Sequence, residues 1–455
     1  MVADKYREFI DRKSQLGSMG GFEPLFLPEW LFDFQKSLVT WAIRKGRAAI
    51  FADCGLGKTP MQLVWAENVV RKTNKPVLIL TPLAVSHQTA READKFGIDC
   101  QRSGDGKFTS KIVATNYQRL HHFNASDFGG VVLDESSILK NFAGKTRQQV
   151  TEFMRMIDYR LLCTATAAPN DYVELGTSSE ALGDLGHSDM ITRFFKEEVS
   201  KDYLGWGRKT YQFRGHSEFH FWKWVCSWAR ACRKPSDLGF DDKAMKLPPL
   251  VERELVLETS TARSGFLFPV IARDMQEQRE ERRITVKERC NEVGRIIAES
   301  DGTPHAIWCH LNEEGNMLAK VLANAVQVKG SMSDEEKEEK LLAFQSGQVK
   351  SLIIKPKIGC FGLNWQHCHN VITFPSHSFE QYYQLVRRCL RFGQVNPVVV
   401  TTVATEGERG ILANAQRKAD QCAEMFESLV KHMAGAMKIE DQWKFPNREK
   451  LPAWL

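Results

Sequence analysis

The sequence has no run of about 18 apolar residues, so nothing in it reads as a membrane-spanning helix. The opening stretch from Met1 to Ser14 is charged and has no apolar core of the signal-peptide kind, so the expectation is no secretory signal, no membrane partner and a cytoplasmic protein. None of the 11 cysteines forms a CxxC pair. Their odd number and their scatter from Cys54 to Cys422 argue against a disulfide framework and fit reduced thiols. Cys360, His367, Cys368 and His369 lie close together but match no zinc spacing. Low-complexity tracts and short-period repeats are absent too. Neither sign of charge dominates: 62 Lys and Arg stand against 56 Asp and Glu, a net +6 that permits a polyanion partner without demanding one.

What is present is an ordinary globular balance, 43% hydrophobic and 26% charged, in 455 residues, which is room for two or three domains. A helical pattern from Leu31 to Arg47 puts Leu31, Phe34, Leu38, Trp41 and Ala42 on one face. Short apolar runs follow at Ala48–Ala52, Val77–Thr81, Lys111–Thr115, Val131–Asp134 and Arg160–Thr164, separated by helix-like stretches or loops. Continuous apolar strands with helical crossovers predict a parallel sheet covered on both faces. A second series lies at Ala306–Cys309, Ala325–Val328, Ser351–Lys355, Asn370–Phe374 and Val398–Val403. Helices are expected at 313–323, 333–346, 378–390 and 407–433, and a long charged one at 270–300. Between the two series, residues 183–250 show no clear strand series and carry Trp206, Trp222, Trp224 and Trp228.

Ala52-Asp53-Cys54-Gly55-Leu56-Gly57-Lys58-Thr59 stands between a strand and a helix. Gly55 and Gly57 let backbone N–H groups wrap phosphates at the positive end of the helix. Lys58 reaches the β- and γ-phosphates, and the Thr59 hydroxyl is a Mg²⁺ ligand. The general phosphate-loop pattern has Gly where this chain has Ala52. Val131-Val132-Leu133-Asp134-Glu135 ends a strand in two acids, at the edge where an open α/β sheet binds ligands. Asp134 would hold the metal, and Glu135 would orient and deprotonate the attacking water.

With the downstream segments, the chain resembles a superfamily-2 helicase or translocase of the Swi/Snf-like branch, and within it the compact DEAD/DEAH-type DNA helicases of phages and prophages. The likeness covers most of residues 28–430, and Ala52 is normal in that family's motif I. By resemblance, Gln35 reads the adenine edge. Thr81-Pro82-Leu83 with Glu92-x-x-Lys95-Phe96 is similar to motif Ia, and Thr115-Asn116-Tyr117 to motif Ib, both of which track a nucleic-acid backbone. Asp134-Glu135-Ser136-Ser137, then Leu139-Lys140-Asn141, resembles the acidic box, with Ser137 where His is frequent. Thr164-Ala165-Thr166 with Pro169-Asn170 resembles motif III, which links ATP state to the nucleic-acid site. In the second half, Gly330-Ser331-Met332-Ser333 resembles the lead into motif V, and Gly359 to Asn364, including Gly362, resembles motif V itself. Gln384-x-x-x-Arg388-x-x-Arg391-x-Gly393-Gln394 resembles motif VI. Arg388 and Arg391, three apart on a helix, can point at a γ-phosphate held by the other lobe.

The aromatic middle has two readings. Phe219 to Trp228 can be a helix packed under the first lobe. Alternatively Trp222 stacks on a base while Arg230, Arg233 and Lys234 flank a nucleic-acid path. The expected organisation is an α/β chain of two RecA-like parallel-sheet lobes. An N-terminal extension (1–27) precedes lobe 1 (28–182); an aromatic, basic, mainly helical insert and linker (183–260) leads to lobe 2 (261–434) and a tail (435–455). The expected activity is an ATP- and Mg²⁺-dependent DNA translocase or helicase acting on duplex or branched DNA, in a host cytoplasm if phage-encoded, with replication or recombination proteins as partners. An RNA helicase, a motor subunit of a restriction or defence complex, and a non-motor DNA-binding protein are the alternatives.

Overall fold

In the computed structural model, residues 19–82, 85–168, 171–201, 207–259, 272, 275–359 and 364–442 are described. The five apolar runs of the first half become strands β1 (Arg47–Ala52), β2 (Val77–Thr81), β4 (Ile112–Asn116), β5 (Gly130–Asp134) and β6 (Tyr159–Cys163), with a short β3 (Cys100–Arg102) among them. An antiparallel hairpin of β7 (Phe195–Lys201) and β8 (Gly207–Phe213) follows, then β9 (Ala229–Cys232). All but the hairpin join one parallel sheet in the order β3-β4-β2-β5-β6-β1-β9. Alternate side chains of each strand feed two separate cores. Phe51, Leu78, Val131 and Leu162 enter one, and Ile50, Ile79, Val132 and Leu161 enter the other. Such two-sided burial is why the runs are continuously apolar rather than alternating.

The second sheet is also parallel. It is built from β10 (Leu250–Leu257), β11 (His305–Trp308), β12 (Ala325–Gln327), β13 (Ser351–Ile354), β14 (Asn370–Thr373) and β15 (Val398–Thr405), in the order β10-β15-β14-β11-β13-β12. Two parallel sheets with helical crossovers are the tandem RecA-like architecture expected above.

The division into domains differs from the expected one. β9 lies inside the expected insert, yet it pairs with β1 and completes the first sheet. β10, also inside that range, pairs with β15 of the second sheet. Immediately before β9 the helix Ser217–Trp228 buries Phe221, Trp222, Trp224 and Trp228 in the first lobe's core. The hairpin is rooted in the same cluster, with Phe195 stacked on Phe213 at 4.7 Å between centroids. Trp206 lies outside the described residues, as do most of the N-terminal extension and the end of the tail. The charged stretch 270–300 forms two helices, Met275–Ile284 and Val286–Ala298, separated at Thr285. The last helix, Arg409–Gln442, leaves the second sheet and packs on β9 and on the helix Ser217–Trp228, placing Met425, Phe426 and Leu429 in the first lobe's core. Among the described residues no helix is long and apolar enough to cross a membrane.

Candidate nucleotide and nucleic-acid site

The turn from β1 into the helix Lys58–Thr73 passes through Gly55 at φ 88° and Gly57 at φ 74°, left-handed positions that strain any other residue. The loop is also boxed in. A Cβ at Gly57 would run into the Gln35 amide, and one at Gly55 would meet the Phe392 nitrogen at 3.4 Å and the Arg391 Cβ at 3.5 Å. Residues 391 and 392 of the second lobe therefore rest directly on the phosphate loop of the first.

Lys58 Nζ donates to the carbonyls of Ala52 at 3.1 Å and Asp53 at 3.4 Å. Burial pushes its pKa down, but Cys54, Glu135, Asp134 and Asp53 outweigh burial and hold it above the usual lysine value. Thr59, the next residue of the helix, is half-buried. β5 delivers Asp134 and Glu135 opposite. Asp134 Oδ1 accepts from Gln62 Nε2 at 2.7 Å. Glu135 adopts a left-handed backbone, φ 53°, and its Oε2 accepts from Thr164 Oγ1 at 3.3 Å. Thr164 thus joins the expected motif III to the acidic pair; Pro169 and Asn170 of that motif lie outside the described residues. Burial, the largest cause, raises both carboxyl pKa values, and the Lys58 ammonium pulls both down.

From the second lobe the helix Phe379–Cys389 and the turn after it cover this site. Gln384 is buried and lines the cleft beside Glu135. The Arg388 charge acts on Glu135, lowering its pKa. Arg391 makes no ion pair among the described residues. Burial first, and Arg388 second, depress its pKa, so an incoming anion would relieve both.

A nucleoside triphosphate with Mg²⁺ fits these groups. Gly55 and Gly57 hold the loop in a left-handed backbone, the Lys58 ammonium is satisfied for now by loop carbonyls, and two guanidinium groups approach from the second lobe. Thr59 and Asp134 would hold Mg²⁺ together with phosphate oxygens and water, the usual coordination of that ion. Among the described residues no three His, Cys, Asp or Glu side chains form a metal cage.

Several assigned roles change. Gln35 is 3% exposed, and both ends of its amide are used within the chain: Nε2 donates to the Leu56 carbonyl at 2.8 Å and Oε1 accepts from the Phe32 nitrogen at 3.1 Å. It braces the phosphate loop from within the first lobe, and the described contacts of its amide are all to the chain itself. Asn116 is buried and caps the helical turn after β4, its Oδ1 accepting from the Arg119 nitrogen at 3.2 Å. The Tyr117 hydroxyl donates to the Asp134 carbonyl at 2.6 Å, supporting the acidic strand end from beneath. Trp222 is 0% exposed, so no base can stack on it. Arg233 lies over the Phe426 ring and donates to the Ala423 carbonyl at 2.9 Å, fastening the last helix. Of the expected nucleic-acid contacts, Pro82 lines the cleft between the lobes and Asn364 is half-buried, its Oδ1 without a hydrogen-bond partner among the described residues. Gly362 lies outside the described residues.

That cleft has a volume of about 670 Å³ and reaches from Pro82 to Glu135 and Gln384. Its walls carry both signs of charge, Arg91, Arg102, Lys140 and Lys337 against Glu135, Glu338 and Glu380, with Arg91 paired to Glu338. Ser137 Oγ donates to Glu380 Oε1 at 2.7 Å across it, and Lys140 pairs with the same carboxylate.

Sequence reasoning passed over Asp53, Gln62, Tyr383 and Arg387. Arg387 pairs with Asp53 at 2.6 Å, and the Tyr383 hydroxyl bonds to the same carboxylate. The signal available was the one-turn spacing of 383 and 387, which sets them side by side on a helix face.

Residues 288–393 match the family described as helicase conserved C-terminal domain, a span that contains Gln384, Arg388 and Arg391. Among solved structures, the chain is similar to the Sulfolobus solfataricus SWI2/SNF2 ATPase core in complex with dsDNA, with a TM-score of 0.42 and 15% identity, over 90% of this chain and 98% of that one. No curated protein matches. A helicase-type C-terminal lobe whose arginines rest on a phosphate loop is the makeup of a nucleic-acid-dependent ATPase.

Proposed function

We propose that this chain is an ATP-driven DNA translocase of superfamily 2, hydrolysing ATP at the seam of its lobes and moving along duplex or branched DNA. The observation that carries the reading is the seating of Arg391 and Phe392 on Gly55, which brings the second lobe's arginines to the first lobe's phosphate loop. ATP with Mg²⁺, when bound, supplies the phosphoanhydride whose cleavage drives the cycle.

The side chains divide the work. Lys58 leaves the Ala52 and Asp53 carbonyls for the phosphates. Thr59 and Asp134 would hold the metal, which would supply charge to the phosphate oxygens. Glu135 takes the proton of the attacking water. Arg388 and Arg391 offset charge as it develops on the transferred group, which they do only when the lobes are together, so hydrolysis and closure are coupled. Arg102 and Lys337 on the mixed-charge walls of the cleft suit contacts to a phosphate backbone, and a grip of that kind weakens as salt rises. The resemblance to Swi/Snf-like and phage enzymes supports duplex tracking on replication or recombination intermediates, beside the proteins that act on them.

ATPase stimulation by plain duplex, single strand, fork, four-way junction and RNA tests this reading. Duplex or junction DNA is expected to stimulate more than RNA, and Lys58→Ala to abolish turnover. Preferential stimulation by RNA would move the chain to the RNA helicases. Full turnover by Lys58→Ala would discard the phosphate-loop assignment.

A further inference from the structure

We propose that Arg387 and Tyr383 of the second lobe latch onto Asp53 of the phosphate loop, forming a charge-balancing contact that positions the loop for closure. The latch is separate from the arginines aimed at the triphosphate. It deepens the ATPase reading above and rests on it.

Asp53 is anchored within its own lobe, its N–H donating to the Cys232 carbonyl of β9 at 3.0 Å. Its carboxylate is met almost entirely from elsewhere. Oδ1 accepts from the Cys54 N–H at 2.5 Å and from the Tyr383 hydroxyl, and Oδ2 takes the Arg387 guanidinium at 2.6 Å. That guanidinium also lies 5.1 Å from the centroid of the Tyr383 ring. The two charged side chains are 16% and 9% exposed, so the pair is largely shielded from water while the lobes touch.

Helix geometry explains how one segment carries both devices. Tyr383 and Arg387 are one turn apart and share a face, while Gln384 and Arg388 fall on the adjoining one; Arg391, expected on the same helix, lies in the turn just past its end at Cys389. Seating the first set on Asp53 therefore fixes the direction of the second.

The chemistry gives the latch a consequence for nucleotide. A carboxylate inside a phosphate loop repels a triphosphate. Arg387 cancels that charge only when the lobes meet, because the partners belong to lobes with separate cores. Arg387 is thus a positioning residue that acts through Asp53, and its removal leaves an uncompensated buried anion beside the phosphate site.

Steady-state ATPase with saturating duplex DNA tests this, with thermal melts as a check on folding. Arg387→Gln is expected to lower kcat roughly tenfold and to raise KM for ATP by about fivefold, within the range of coupling energies measured for neighbouring residues. Adding Asp53→Asn removes the stranded charge, so the double variant is expected to recover the wild-type KM while kcat stays low. A purely structural role would give additive losses and no such recovery, and that result would overturn the latch. If Arg387→Gln does not fold, Tyr383→Phe replaces it, with a loss in kcat of about threefold expected and wild-type kinetics as the overturning result. Lys58→Ala runs alongside. Turnover by that variant would overturn the ATPase reading and the latch together. A dead Lys58→Ala with wild-type kinetics for Arg387→Gln would overturn the latch alone.

Discussion

Replacing Arg391 by alanine is the sharpest perturbation of the proposed seam. The residue's backbone and Cβ sit against Gly55, so its position over the phosphate loop is set by packing rather than by its own charge. The guanidinium has no carboxylate partner among the described residues, and its pKa is depressed by burial and by Arg388. Such a cation is held ready at a cost that an anion would relieve. A charge pair at about 4 Å with an effective dielectric near 20 is worth about 4 kcal/mol. At roughly 1.4 kcal/mol per factor of ten, that predicts a fall in kcat on the order of 10³. Only interaction that strengthens in the transition state appears in kcat, so ATP affinity is expected to stay within a few-fold of the wild type. Arg391→Lys keeps the charge without the planar fork and is expected to recover part of the loss. The assay pairs DNA-stimulated ATPase with titration of a fluorescent nucleotide, after a melt confirms the fold. Wild-type turnover in Arg391→Ala would refute the reasoning. A loss of affinity equal to the loss in kcat/KM would make Arg391 a ground-state binding residue instead.

Gln62→Leu tests the electrostatics of the acidic pair. Burial raises the Asp134 pKa and the Gln62 hydrogen bond lowers it, so leucine is expected to raise it further. Metal binding needs the carboxylate, hence the acid limb of the kcat/KM profile should move to higher pH while the plateau above it changes least; a uniform loss at every pH would leave Gln62 only a packing role. Trp222→Ala removes a fully buried ring, and is expected to cost about 3–5 kcal/mol and to lower the melting midpoint by roughly 10 °C, without selective harm to DNA-stimulated turnover. A variant that melts like the wild type yet loses DNA binding would return Trp222 to the nucleic-acid path.

The parts of the fold that could be read in the sequence share one property: their signal is local. Val77–Thr81 and Gly130–Asp134 are buried at every position, so each shows as an unbroken apolar run. The glycine spacing of the phosphate loop and the acids ending β5 are local in the same way. β9 was hidden because Arg230 stands in the middle of a buried strand, where its guanidinium lies over the Trp41 ring at 4.3 Å. β10 was hidden because its Glu252, Arg253 and Glu254 are exposed along the edge of the second sheet. Membership of a sheet is a long-range fact: nothing near residue 229 announces pairing with residue 49. The same holds at the site. The Asp53–Arg387 pair joins positions 334 apart, and no window of sequence connects them. Asn116, Tyr117 and Trp222 were placed on a nucleic-acid path by residue type and motif position. Their burial, which decides against that, depends on partners brought in from other elements.

The contacts that tie the lobes together differ in kind, and the difference bears on how a cycle could run. The helix Arg409–Gln442 inserts Met425, Phe426 and Leu429 into the first lobe's core, where they are 0–3% exposed. At about 1.5–3 kcal/mol for each buried side chain, that attachment is worth several kcal/mol and responds little to charge or to nucleotide. The ties around the site are polar. Lys140 with Glu380 is partly exposed, and Arg91 with Glu338 is exposed on both sides, the class of ion pair worth about 0–1 kcal/mol. Asp53 with Arg387 is better shielded, but water can take over both partners if the lobes part. Opening the seam therefore costs least at the nucleotide, while the apolar helix keeps the second lobe attached to the first. In such an arrangement the charge of a bound triphosphate acts on the contacts most easily broken, which is the condition for hydrolysis at the seam to govern whether the lobes are open or closed.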